Sequence, residues 1–203
     1  RTITLPGNRN LKFDMYWYKA RNETGQHRIF DTSRGLSLEL YPNLTAADSA
    51  ATYVSNQTAN GFDLSSGDSS TNKNGATYAN WQWKANGGTT TSVSASGTGS
   101  GCVNACTHQA NTTAGFSIVT YTGNGTVANA STTVGHGLSQ RPDAIIIKDR
   151  DDAVNWNAWF ESFTAGQVIY LNLTNQRNSD TNVWANTLPT SSVFCVGNSE
   201  VNA

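Results

Sequence analysis

Residues 143–150 read D-A-I-I-I-K-D-R, and residues 14–21 repeat the pattern as D-M-Y-W-Y-K-A-R. Each stretch has an aspartate, four apolar residues and then Lys-x-Arg. The separation is constant, since 143 − 14, 148 − 19 and 150 − 21 all give 129. Short runs rich in Ile, Tyr and Trp predict a buried β-strand, with the lysine marking where the strand leaves the core. Lys148 and Arg150 lie two apart and share one face of such a strand. Asp143 and Lys148 lie five apart and face oppositely, so they are not read as an ion pair. One such motif carries little. The same motif twice at a fixed separation indicates repeated structural units.

Further echoes keep the same order. Phe30-Asp31 matches Phe160-Glu161, Leu38-x-Leu40 matches Ile169-x-Leu171, and Phe62-x-Leu64 matches Phe194-x-Val196. The separation drifts as loop insertions would make it, with 160 − 30, 169 − 38 and 194 − 62 giving 130, 131 and 132. Asn72 then matches Asn202. Tyr18/Ile147, Phe30/Phe160 and Leu40/Leu171 are therefore expected at equivalent core positions. The organisation expected is a first unit at 1–88, a Gly/Ser/Thr-rich linker or insertion at 89–112, and a second unit at 113–203. The strand read at 78–83 has no counterpart in the second unit, and the strand at 116–121 has none ahead of the first. A sandwich short of a strand exposes an unpaired edge. The expected remedies are a native chain that continues at both ends, a strand donated by a neighbouring subunit, or two halves that complete each other.

Composition bounds the class. Charged residues are 13% and the formal net charge is −1, without the basic excess of a nucleic-acid binder. Eighteen glycines and many Ser, Thr and Asn weaken helix interiors and favour short strands joined by polar turns. No apolar run reaches the length of a membrane span, so no membrane insertion is expected. The fold class expected is all-β, in antiparallel sandwich-like units of jelly-roll or lectin type. Residues 36–41 alternate with period two and read as a half-exposed strand. Residues 42–60 read as a long polar loop. Residues 76–85 place Ala79, Trp81, Trp83 and Ala85 on one apolar face.

The combined order of motifs resembles a domain of unknown function found, often in tandem, in virion structural and tail-fibre proteins of phages, many of them marine. The motifs are G-F-S-I-V-T-Y-T-G-N-G at 115–125, V-G-H-G-L at 134–138 and P-D-A-I-I-I-K-D-R at 142–150. They continue with the aromatic strand at 156–160, Y-L-N-L at 170–173, P-T-S-S-V-F at 189–194 and, in the first half, Y-A-N-W-Q-W at 78–83. The resemblance implies a phage structural protein with β-sandwich-like units and brings no catalytic residues with it. Its implied partners are copies of itself or other virion proteins, and its implied location is the virion.

Several constellations bear on chemistry. Cys102, Cys106 and His108 offer zinc-type ligands but lack a clear fourth, so a local disulfide or two thiols in an inserted loop is preferred. Cys195 falls in a predicted core strand. Asp31, Glu161, Asp151 and Asp152 are carboxylates of the kind a glycosidase pairs. Asp31 and Glu161 are already explained by repetition, and Asp151 and Asp152 by a solvated turn. His136 between two glycines is read as a turn residue bonded to backbone rather than a general base. Seven N-x-S/T triplets, starting at Asn22, Asn43, Asn56, Asn111, Asn124, Asn129 and Asn172, are expected by chance in such a chain. For glycan binding the candidates are Trp184, Asn182 and Asn186, because Trp184 is the tryptophan least expected to be buried. The other tryptophans considered, Trp81, Trp83, Trp156 and Trp159, are expected mostly in the core. No cofactor and no catalytic residue is expected. A virion structural or adhesive module is the first functional expectation, a carbohydrate-binding module the second, and a glycan-degrading enzyme the third.

Overall fold

The computed structural model describes residues 1–5, 12–65, 69–95, 104–125 and 132–203. Among these residues there is no helix, and every strand pair is antiparallel. The first half holds β1 (Thr2–Thr4), β2 (Met15–Ala20), β3 (Arg28–Asp31), β4 (Leu38–Glu39), β5 (Ser49–Ala50), β6 (Val54–Thr58), β7 (Gly61–Leu64) and β8 (Tyr78–Trp83). Its two sheets run β3-β2-β8 and β1-β7-β6. A bridge from Ile29 to Leu40 extends the first sheet onto β4, which pairs with β5. Tyr16, Tyr18, Phe30, Val54, Phe62 and Leu64 fill the space between the sheets. Tyr16 meets Phe62 edge-on at 4.9 Å between ring centroids. Burial pushes the Tyr16 phenol up to about 12.

The later strands are β9 (Thr91–Val93), β10 (Cys106–Asn111), β11 (Phe116–Tyr121), β12 (Thr133–Gly135), β13 (Ala144–Ile147), β14 (Asn157–Phe160), β15 (Gln167–Tyr170), β16 (Asn178–Ser179) and β17 (Val193–Cys195). They form β13-β14-β15-β16, β12-β17 and β11-β10-β9. Ile145, Ile147, Trp159 and Val168 from the first sheet pack on Val134, Phe194 and Cys106 from the other two. The molecule is thus sandwich-like in each half. The segment 89–112 carries β9 and β10, and β10 pairs with β11 in the second half.

The strand registers carry the repeat further than the motifs do. Tyr16 pairs with Phe30 as Ile145 pairs with Trp159, and both 145 − 16 and 159 − 30 are 129. Ile29 pairs with Leu40 as Ala158 pairs with Ile169, and 158 − 29 and 169 − 40 are again 129. Leu38 pairs with Ala50 as Gln167 pairs with Ser179, with the same 129 from 167 − 38 and 179 − 50. The second sheet follows with a small slip. Ile3 pairs with Phe62 as Val134 pairs with Phe194, where 134 − 3 is 131 and 194 − 62 is 132. Tyr18/Ile147 and Phe62/Phe194 therefore hold as equivalent buried pairs.

Two expected equivalences are corrected. The partner position of Phe30 is Trp159, not Phe160, and that of Leu40 is Ile169, not Leu171. Phe160 is 36% exposed while Trp159 is 1% exposed, so the side-chain period of two excludes a one-residue slip. The Asp31/Glu161 match fails for the same reason, since Asp31 corresponds to Phe160.

Other readings shift too. The loop expected at 42–60 contains β5 and β6. Val54 alone of V-S-N-Q-T is buried, so β6 shows no apolar period and is fixed by pairing with β7. Gly61 permits that sheet, because a Cβ there would lie 2.0 Å from the Ile3 carbonyl oxygen. The strand read at 36–41 shortens to β4 plus the Leu40 bridge, and its buried face carries Glu39. Arg28 pairs with Glu39 inside the core, and the Tyr41 hydroxyl donates to Glu39 at 2.6 Å. Stacking helps hold the guanidinium, which lies 4.7 Å from the Tyr53 ring centroid.

Candidate functional site: a groove beside an open edge strand

The Lys-x-Arg motif ends each duplicated strand in the same way. Lys19 Nζ donates to the carbonyls of Ala20 and Glu23, and Lys148 Nζ to those of Asp149 and Asp152. These are residues one and four beyond each lysine, so the side chain ties down the loop that follows the strand. Partial burial lowers the Lys148 pKa, and neighbouring Asp149 and Asp152 act against that shift. The Asn-Leu-Thr triplets at Asn43 and Asn172 belong to the same scaffold. Each asparagine Oδ1 accepts a backbone N–H, from His27 at 3.0 Å and from Trp156 at 2.9 Å.

The two halves differ at the edge that β8 closes in the first. β2 lies between β3 and β8, whereas β13 pairs among the described residues with β14 alone. Asp14 is fully buried beside β8, where its carboxylate accepts N–H bonds from Ala85 at 2.7 Å and Gly87 at 2.9 Å. Its counterpart Asp143 is exposed. Trp17 faces Trp81 across the β2–β8 pair, while its counterpart Ile146 is 44% exposed.

Along this open edge runs a groove of about 920 Å³. Residues 142–152, including all of β13, and residues 115–123, including all of β11, line it. Met15, Trp17, Ile29 and Leu40 of the first half and Trp156 and Leu171 of the second also line it. The latter two pack with the former four in a small apolar cluster between the halves. The groove thus joins this apolar cluster to a charged end that includes Lys148, Asp149 and Arg150.

The residues singled out from the sequence fall elsewhere. Trp184 is 3% exposed and its indole N–H donates to the Gln167 carbonyl at 3.1 Å, so it is a core residue. That overturns the expectation of an exposed ring. Val183 beside it occupies the second-half core, as Val54 does the first, which anchors the loop. Asn182 and Asn186 are exposed at the surface of this loop. The most exposed tryptophan is Trp81, at 49%. Its ring meets Trp17 edge-on at 6.2 Å, and the Trp17 indole N–H donates to His27 Nδ1. The alternation in β8 was legible, but which sheet face is covered was not. Trp156 and Trp159 are buried as expected, and Trp83 is half-buried, stacking on Phe116 at 6.0 Å.

Cys102 lies outside the described residues. Cys106 is buried and its thiol lies 3.6 Å from the Gly135 carbonyl oxygen, within hydrogen-bond range. The His108 ring packs against Gly137, where a Cβ would come within 2.4 Å of it. Among the described residues no three His, Cys, Asp or Glu side chains converge on a metal position. Cys195 is buried in β17. Asp31 is buried, accepting from the Ser33 and Arg34 backbone and from Arg34 Nε at 2.6 Å. His136 is 3% exposed, with Nδ1 accepting from the Leu138 N–H and Nε2 3.3 Å from the Thr190 carbonyl. Those partners fix the neutral tautomer with hydrogen on Nε2, and burial holds its pKa below the ordinary value.

Fold and groove together define an all-β, sandwich-like module in which β13, among the described residues, pairs on one side only. The chain belongs to the family described as Domain of unknown function (DUF7483), whose model matches residues 4–203. One family unit thus takes in both duplicated halves. No curated protein and no solved structure matches the chain.

Proposed function

We propose that this chain is a non-enzymatic structural module of a phage virion, in a tail fibre, head fibre or decoration, serving assembly or host-surface adhesion. The observation that carries the reading is the duplicated unit, whose first sheet keeps one offset of 129 through three successive strand pairings. Stacked copies of one supersecondary unit suit extended assemblies. The motif order shared with tandem domains of virion proteins supports it. Its partners on this reading are copies of itself or other virion proteins. The low charge, formally −1, agrees with a surface that does not bind nucleic acid. Among the described residues no helix is long and apolar enough to cross a membrane. Mass spectrometry of particles purified from the source sample tests the proposal. Peptides of this chain should co-sediment with intact virions, and their confinement to the particle-free fraction would sink it.

A second reading, a carbohydrate-binding module for a host-surface glycan, is favoured by the exposed Trp81 ring beside Trp17 and His27. Such a ring can stack on the apolar face of a sugar. A glycan array should show binding that Trp81→Ala removes. An array blank at millimolar glycan would leave the structural reading alone.

A further inference from the structure

We propose that the open edge of β13 is a strand acceptor, which takes an extended segment of a partner polypeptide as an added antiparallel strand with the alternating pattern of β8. This is β-strand addition, in which main-chain bonds give affinity and alternate side chains give specificity. The inference stands on the duplicated geometry and does not depend on a virion location.

The first argument is register. β8 seats on β2 with Met15 opposite Trp83, Trp17 opposite Trp81 and Lys19 opposite Ala79. The offset of 129 turns those acceptor positions into Ala144, Ile146 and Lys148, on the edge that no described strand occupies. The second argument is backbone polarity. Glu161 N–H donates to the Asp143 carbonyl, so Asp143, Ile145 and Ile147 direct their main-chain groups to β14. Alternation then directs those of Ala144 and Ile146 into the groove. The third is the unfilled set of contacts around this edge. Among the described residues, no amide donor reaches Asp143 as Ala85 and Gly87 reach Asp14, and no cross-strand ring covers Ile146 as Trp81 covers Trp17.

The form of the groove selects the occupant. β11 lines the groove together with β13, so an incoming segment meets both and not a flat edge alone. A folded second copy would have to bring its own β13 with β14 attached into that groove. A single extended segment does not carry that burden. The segment expected has bulky apolar residues at the positions opposite Ala144 and Ile146, where β8 has Trp83 and Trp81.

The test uses the intact 203-residue chain and a fluorescent peptide with the sequence of residues 77–85, T-Y-A-N-W-Q-W-K-A. Saturable one-to-one binding is expected, with hydrogen exchange slowed at the amides of Ala144 and Ile146, and a scrambled peptide should not bind. Ile146→Pro removes one donor at an edge, where proline is tolerated, and should weaken binding by about tenfold. A peptide N-methylated at the positions facing β13 should lose binding to the unaltered chain, which keeps the test decisive if Ile146→Pro does not fold. Three results would overturn the proposal. One is faster exchange at the amides of β8 with no protection gained at Ile146, meaning the peptide has displaced β8. Another is a dimer whose β13 amides are already protected. The last is binding indifferent to N-methylation or absent altogether.

Discussion

Burial without a charged partner decides how His136 responds to acid. Its Nδ1 accepts and its Nε2 faces a carbonyl, so a second proton has no acceptor and displaces the Leu138 bond. Its pKa is held below the ordinary 6.5 by burial, as are those of His27 and His108. A depressed pKa means that the unfolded chain binds the proton more readily. The associated stability is then complete above about pH 6.5 and is lost as pH falls through the folded value. Thermal unfolding should show Tm falling as pH drops from about 7 to about 5. His136→Asn should flatten that slope while lowering the neutral-pH plateau, and an unchanged slope would remove His136 from the account. The aspartate pair offers a comparison at the same scale. Asp14→Ala leaves the Ala85 and Gly87 amides without their acceptor and should cost about 2–4 kcal/mol in urea unfolding. Asp143→Ala removes an exposed carboxylate and should cost less than about 0.5 kcal/mol. Equal costs would mean that the two edges are not differently occupied.

Among the elements, the strands that read clearly were short runs of bulky apolar residues, β2, β13 and β14. β6 reads as loop because V-S-N-Q-T carries a single buried residue, and its place is set by pairing across the Ala59-Asn60 turn. The contact between β1 and β7 depends on the missing side chain of Gly61. Gly61→Ala should displace β1 and cost about 1–3 kcal/mol, with faster hydrogen exchange at Thr4 and Leu5. Retained protection there would show that β1 adapts. The trouble with Phe30/Phe160 and Leu40/Leu171 also belongs at this level. Matching by residue type tolerates a slip of one or two, whereas a ladder does not, since a slip of one turns the buried face outward.

For the molecule as a whole, the halves are joined by a few specific groups. Trp156 inserts its indole so that the N–H reaches the carbonyls of Tyr41 and Leu44, at 3.0 and 3.1 Å. Arg150 Nε bonds Asp48 at 2.7 Å, and the Arg150 carbonyl accepts the Asp48 amide. Buried Gln109 donates to Thr32 and Ser33 and accepts from Asn86 and Gly88, tying β10 to the first half. Trp156→Ala should cost about 3–5 kcal/mol. It should also split calorimetric unfolding into two transitions, one for each half. A single transition at lower temperature would mean that other contacts suffice to couple them.

The sequence by itself determined the all-β class, the duplication and the two lysine-ended strands, because local alternation and repeated spacing are properties of the chain. It also read His136 as bonded to backbone, which its Leu138 and Thr190 partners bear out. Only tertiary structure decided which face of each strand is covered. That is why Trp184 lies inside and Trp81 outside, and why Glu39 sits in a core beside Arg28 while Leu40 faces the other half. Burial depends on what packs against a face, and that partner lies tens of residues away. The groove is of the same kind. The missing counterpart of β8 could be read from the repeat, but its site had to be assembled from strands on both halves before it had a lining and an edge of backbone groups turned into it.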